Sequence, residues 1–206
     1  MSLVKLETPF AGPPAGIGSG TGFVVQYCNR TCLIMTNRHV IAGALSITVV
    51  LPRQKGDQRF PGATVQESGP ADLALVRLEN VVAEFRPLLF AELPIPRLTG
   101  VVYCHGFFGP GVGMVIRPGR FPGQITGVYL VDDIQYLDGN FGSESGTSGG
   151  PITMGNRVIG VNVGSRGGSR RVLSPQSIYM TLVDWCRLHR GNPTFAEMLR
   201  RLAHAA

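Results

Sequence analysis

The stretch Gly142-Ser143-Glu144-Ser145-Gly146-Thr147-Ser148-Gly149-Gly150-Pro151 decides how the rest of this chain is read. Its centre sets one hydroxyl, that of Ser148, among three glycines. A serine is a weak nucleophile unless its oxygen is exposed and backbone N–H groups converge on the oxyanion that forms when it attacks. Glycine permits the positive φ that such convergence needs. A Gly-rich turn alone is weak evidence, since a surface loop has the same composition. Two upstream pieces give it weight: Thr36-Asn37-Arg38-His39-Val40 and Asp72-Leu73-Ala74-Leu75-Val76.

Each piece adjoins a predicted strand. His39 follows the apolar run Leu33-Ile34-Met35, Asp72 precedes the run Leu73 to Leu78, and Ser148 precedes Pro151-Ile152-Thr153-Met154. Strand ends on a rigid scaffold are where reactive groups are commonly held. The chain order His, Asp, Ser is one of the three known orders of a Ser-His-Asp triad. Taken singly, each residue reads as a structural histidine, a turn aspartate or a loop serine; taken together they make His39, Asp72 and Ser148 the candidate catalytic set.

These residues resemble the motifs of the chymotrypsin-like serine protease superfamily, in its bacterial and viral trypsin-like branch. Gly18-Ser19-Gly20-Thr21-Gly22-Phe23-Val24 is similar to the first barrel strand of HtrA-type proteases and glutamyl endopeptidases. Thr36 to Val40, Asp72 to Leu75 and Gly146 to Pro151 resemble their histidine, aspartate and serine motifs. Val158-Ile159-Gly160-Val161-Asn162-Val163-Gly164 resembles the strand that walls the primary specificity pocket. The resemblance implies an all-β fold of two antiparallel Greek-key barrels with C-terminal helices and the site in the cleft between the barrels. It implies an oxyanion hole from the N–H groups of Gly146 and Ser148, and a substrate pocket touched by Gly142, Ser143, Ser145, Asn162, Val163 and Gly164. Asn162 stands where glutamyl endopeptidases carry a specificity histidine, and the pocket base is Gly142 rather than an aspartate. The expectation is therefore a small or uncharged side chain at the cleaved position. Thr147 replaces the aspartate that pairs with a newly cut N-terminus in digestive enzymes, so activation without such a cut is expected. No PDZ domain is present in these 206 residues.

Composition agrees with many short strands joined by tight turns: Gly 28, Pro 15 and only 16% charged residues. The expected organisation is a lead-in over 1–17, a first barrel over 18–85 carrying His39 and Asp72, a proline-rich connector over 86–99, a second barrel over 100–173 carrying Ser148, and helices over 174–206. Predicted strands of the first barrel are Phe23–Tyr27, Leu33–Thr36, Leu45–Leu51, Ala63–Glu67 and Leu73–Leu78. Those of the second are Val101–Phe107, Met114–Arg117, Gly123–Val131, Pro151–Met154 and Val158–Val163. Ser174-Pro175 opens a predicted helix from Gln176 to His189. A shorter one over Thr194–His204 presents Phe195, Met198, Leu199 and Leu202 on one face, expected to pack on the second barrel.

Cys28 and Cys32 bracket a predicted hairpin turn, across which they are placed to face each other; reduced thiols are the favoured state in a cytosolic chain. Cys28, Cys32, Cys104 and His105 lack recognised metal-ligand spacing, and the triad chemistry calls for no cofactor. No apolar stretch reaches membrane-span length, and no secretory signal pattern opens the sequence, so a cytoplasmic or viral-intracellular setting is expected. Net charge is +6, and residues 157–206, with eight arginines against Asp184 and Glu197, account for all of it. Arg166, Arg170 and Arg171 are expected on a loop beyond the pocket-wall strand, and Arg200 and Arg201 on the last helix. Three readings of this basic face stand: a solvated surface, an acidic protein or peptide partner, and nucleic acid, the last disfavoured by the lack of interleaved aromatics. The leading expectation is a serine endopeptidase acting on a specific protein or a viral polyprotein; the alternative is a catalytically silent protease fold used for binding.

Overall fold

A computed structural model of the chain describes residues 2–11, 16–53, 56–95, 98–108, 118–188 and 190–204. The first barrel is closed and has six strands: β1 (Leu3–Phe10), β2 (Gly16–Cys28), β3 (Thr31–Thr36), β4 (Ile47–Leu51), β5 (Gln58–Ser68) and β6 (Leu73–Leu78), in the order β1-β2-β3-β6-β5-β4. All its ladders are antiparallel, and β1 closes it by pairing with β4. Residues 1–17 are thus not a lead-in, because Leu3–Phe10 is a full barrel strand. Its alternation is disguised. Val4, Leu6 and Thr8 point into the barrel and are fully buried, yet Lys5 and Glu7 on the other face are buried too. They form an ion pair at 3.0 Å, and Arg59 from β5 caps the same carboxylate. Burial alone would raise the Glu7 pKa, but the two cations override it and hold it low.

The second sheet runs β10-β11-β14-β13-β12-β8-β9, from β8 (Val102–Phe107), β9 (Pro118–Gly123), β10 (Ile125–Val131), β11 (Ile134–Gly139), β12 (Pro151–Met154), β13 (Arg157–Arg166) and β14 (Ser169–Leu173). Its two end strands, β9 and β10, are consecutive and separated only by Gln124. They are two halves of one bent strand: β9 pairs with β8, and β10 pairs with β11. The sheet therefore returns on itself through the chain, and the bond from Asn140 N to Gln124 O, 3.1 Å, bridges the bend. The expected strand Gly123–Val131 is broken at this corner, while Met114–Arg117 lies outside the described residues. β11 and β14 were not expected. Short β7 (Leu89–Phe90), within the connector, adds in parallel to β13.

Ser174 caps helix α2 (Pro175–Cys186), accepting from Ser177 N at 3.1 Å, and Pro175 occupies its first turn. The helix ends earlier than His189, with Arg187 in the left-handed conformation. Helix α3 (Phe195–His204) buries Met198, Leu199 and Leu202. It packs on α2, β2 and β3, so its apolar face lies against the first barrel rather than the second. Phe195 stacks on Phe90 at 4.4 Å between ring centroids. One core cluster joins Phe23, Leu33 and Leu75 of the first barrel to Tyr136, Val161 and Leu173 of the second and to both helices. This shared core fixes the seam between the barrels. Among the described residues no helix is long and apolar enough to cross a membrane.

Candidate active site

Three chain segments meet at that seam. β3 ends at Thr36, and a four-residue helix α1 (Arg38–Ile41) follows, with Asn37 at its N-cap position. Asp72 sits at the entrance to β6 with φ +50°, a left-handed conformation that aspartate tolerates better than most residues. Its backbone O accepts from Arg38 N (3.2 Å) and Asn37 Nδ2 (3.0 Å). Its carboxylate grips His39 twice: Oδ1 accepts from His39 N at 2.9 Å, and Oδ2 lies 2.6 Å from Nδ1. A carboxylate at Nδ1 favours the tautomer that carries its proton there and leaves the Nε2 lone pair available as a base. The His39 side chain is 47% exposed and that of Asp72 23%, so the base is reachable while its partner is shielded.

Ser148 comes from the loop between β11 and β12, which is latched onto the first barrel by Thr21 of β2. Thr21 N donates to Ser148 O (2.8 Å), Thr21 Oγ1 donates to Gly146 O (2.7 Å), and the same oxygen accepts from Phe107 N (3.0 Å). Thr36 Oγ1 completes the clasp by donating to Thr21 O at 2.8 Å. Gly149 has φ +82°, and a Cβ there would stand 2.2 Å from Thr21 O, 2.3 Å from Thr36 Oγ1 and 3.0 Å from Asn37 N. Only glycine lets the serine loop approach the histidine segment this closely. Gly146 has φ +96°, and neither its N–H nor that of Ser148 donates to an acceptor among the described residues. Two unspent donors beside a half-buried serine suit an oxyanion.

The expected pocket residues divide. Gly142 and Ser145 are exposed and Ser143 half-buried on the loop, while Val163 sits at a bulge in β13 and Gly164 has φ +144°. The expected substrate contact of Asn162 is corrected, since the residue is fully buried. Its Nδ2 donates to Thr147 O (3.1 Å) and Thr147 Oγ1 (3.0 Å), its N to Gly150 O (2.8 Å), and its O accepts from Gly149 N (2.9 Å). Its Nδ2 is spent on bracing the serine loop and leaves no donor for substrate, while Oδ1 has no partner among the described residues. Thr147 Oγ1 in turn donates to Glu144 O at 2.7 Å.

Arg166, Arg170 and Arg171 are also corrected, since Arg166 ends β13 and the other two lie on β14 rather than on a loop. Arg171 places its guanidinium 3.7 Å from the Tyr136 ring centroid. Tyr136 Oη donates to Pro70 O at 3.4 Å, just ahead of Asp72. Burial raises the Tyr136 pKa and the Asp72 charge adds to this against the Arg171 cation, so the phenol stays neutral. Sequence reading missed Thr21, Asn37 and Tyr136. The only sequence trace of Thr21's role is a hydroxyl placed between glycines in Gly18 to Gly22.

His105 is outside the site. It is buried and bonded through Nε2 to Thr153 Oγ1 (2.8 Å), and burial with the nearby Arg120 charge lowers its pKa to about 4. The four cysteines are free; Cys32 stands opposite Tyr27, not Cys28, so the hairpin pair does not face itself. No metal-holding cluster occurs among the described residues. A groove of about 900 Å³ lined by Tyr27, Leu89, Tyr179 and Phe195 contains none of His39, Asp72 and Ser148.

The two barrels, with histidine and aspartate on the first and serine on the second, define a chymotrypsin-like protein. Residues 20–161 match the model of the trypsin-like peptidase domain family, and the chain belongs to that family. It is 32% identical over 149 residues to the putative mitochondrial protease Do-like 12 of Arabidopsis thaliana, covering 69% of this chain and 28% of that protein. It is 30% identical over 172 residues to serine protease Rv3671c of Mycobacterium tuberculosis, covering 80% of this chain and 40% of that one. The chain thus spans less than half the length of these relatives. The solved active form of Rv3671c protease superposes with a TM-score of 0.72 at 24% identity, over 94% of this chain and 83% of that one, a likeness of fold. These relatives are cellular, and they give no support to the expected viral origin.

Proposed function

We propose that this chain is a serine endopeptidase in which His39, Asp72 and Ser148 form one catalytic unit. The observation that carries the reading is the double grip of Asp72 on His39, at backbone N and Nδ1. Ser148 Oγ attacks the peptide carbonyl while His39 Nε2 takes its proton and returns it to the leaving amine. Asp72 orients the imidazole and stabilises the imidazolium. The N–H groups of Gly146 and Ser148 receive the oxyanion. An acyl-enzyme forms on Ser148 and water releases it by the same proton path.

The enzyme works without a new N-terminus. Thr147 cannot pair with an ammonium group, and Asn162 already holds it from within the barrel. Hydrolysis of an unfolded protein substrate by the purified chain tests the assignment. Ser148→Ala and His39→Ala should each lower kcat by about 10⁴-fold or more, and Asp72→Asn by a similar order. Hydrolysis that survives in all three variants would contradict the triad.

A further inference from the structure

Arg170 stands out on the inner side of the second barrel. On β14, Val172 is fully buried in the cluster formed with Cys104, Leu137, Phe141, Ile152 and Ile159 inside this barrel. The β11–β14 ladder is regular from Tyr136↔Leu173 to Gly139↔Arg170. Strand alternation therefore puts Arg170 on the same inward face as Val172, and Arg171 on the outward face, where it meets Tyr136. Arg170 is half-buried. Its positive charge reaches the buried Cys104 thiol, where it opposes the rise to about 12 that burial imposes.

The end of the barrel that Arg170 occupies is the end from which the serine loop departs. Its partner across β11 is Gly139, and the chain runs on through Asn140 and Phe141 to Gly142, where the loop carrying Ser148 begins. Its partner across β13 is Ser165, three residues beyond Asn162, whose backbone is bonded to Gly149 and Gly150. The Phe141 ring fills the space over Gly139, whereas Ser165 on the β13 side is exposed. No carboxylate lies within 4 Å of Arg170, Arg171 or Arg166 among the described residues. A half-buried, unpaired guanidinium is costly to hold, and a ligand carboxylate offsets that cost through bidentate, charge-assisted hydrogen bonds.

We propose that Arg170 sets the substrate class of this site, so that the enzyme cleaves after an aspartate or glutamate whose carboxylate enters the barrel mouth. Arg166 and Arg171, at the same end of β13 and β14, add positive potential that draws acidic segments toward it. The proposal rests on the triad reading above and replaces the small, uncharged preference expected from sequence. That expectation rested on Gly142 at the pocket base and on Asn162 in place of a histidine.

The test has two arms. The wild-type chain digests an unfolded protein, and mass spectrometry maps the bonds cut. In parallel, matched peptides with Glu, Gln, Ala or Val at the cleaved position are assayed with wild type, Arg170→Gln and Arg170→Lys. Labelling of Ser148 by a fluorophosphonate reports the nucleophile separately. Most mapped cuts should follow Asp or Glu, and kcat/KM for Glu should exceed that for Gln by about 100-fold. Arg170→Gln should erase the preference while still taking the label, and Arg170→Lys should keep part of it. Cuts that follow small apolar residues, made by a protein that labels normally, overturn the role of Arg170 and leave the triad standing. A wild type that neither labels nor cuts overturns the triad and this inference with it. The wild-type map stands even where a variant fails to fold.

Discussion

Asn162 and Thr147 brace the loop of the proposed nucleophile from inside the second barrel. Asn162 Nδ2 satisfies both the O and the Oγ1 of Thr147, next to the nucleophile. Asn162→Ala removes two hydrogen bonds from buried Thr147, whose O keeps Gly150 N and whose Oγ1 still donates to Glu144 O, at about 0.5–1.5 kcal/mol per lost bond. The expected result is a lower urea midpoint and a fall in kcat of at least about tenfold with KM less affected; steady-state kinetics and urea unfolding check it. His105 gives a pH dependence of the opposite kind. Its folded pKa, about 4, lies below the ordinary 6.5, so the unfolded chain binds the extra proton between these values. Stability should thus be full above pH about 6.5 and fall as pH drops toward 4, by up to about 3 kcal/mol. Urea unfolding at several pH values should show this slope in wild type and lose much of it in His105→Asn. At this scale the proposed triad could be read because each member sits in a local motif beside a strand, and the pairing of Asp72 with His39 is seen in the structure. Thr21 and Asn162 could not, because their partners, Gly146, Ser148 and Thr147, are reached only when the two barrels dock or the sheet folds over.

Strand β1 carries the argument at the scale of elements. It pairs with β2 along its whole length, Leu3 opposite Phe23 and Pro9 opposite Ile17, and with β4 at Lys5 to Glu7. A cut before Ile17 would break the link between β1 and β2 and hold the closed barrel together by non-covalent contacts alone. Engineering a protease site before Ile17 and cutting the folded protein there should lower Tm and leave activity unchanged or reduced. A rise in activity on cutting would show that a new N-terminus is needed after all. Sequence patterning missed β1 because Lys5 and Glu7 occupy a buried face and the following Pro/Gly run dominates the window. It missed β11 and β14 because their polar outward residues, Asp138 and Arg171 among them, dilute the apolar alternation. Apolar runs such as Leu33–Met35 and Leu73–Leu78, buried on both faces, were read correctly because nothing masks them.

For the whole molecule, two barrels share one core cluster, and the proposed catalytic residues lie along their seam. Helix α3 belongs to that shared core through Phe90, Met198 and Leu199 and not to the second barrel alone. The two-barrel architecture was implied by the family resemblance that the motifs carry; the docking of α3 was not, because an amphipathic face shows that a helix packs but not on what. The claim on which everything else depends is that docking the barrels activates Ser148. Reaction of the full chain with a fluorophosphonate, followed by peptide mapping of the adduct, tests this without any knowledge of substrate. The account predicts one adduct, on Ser148, lost in His39→Ala as well as in Ser148→Ala. A folded wild-type protein that forms no adduct, or forms one equally well without His39, would contradict it.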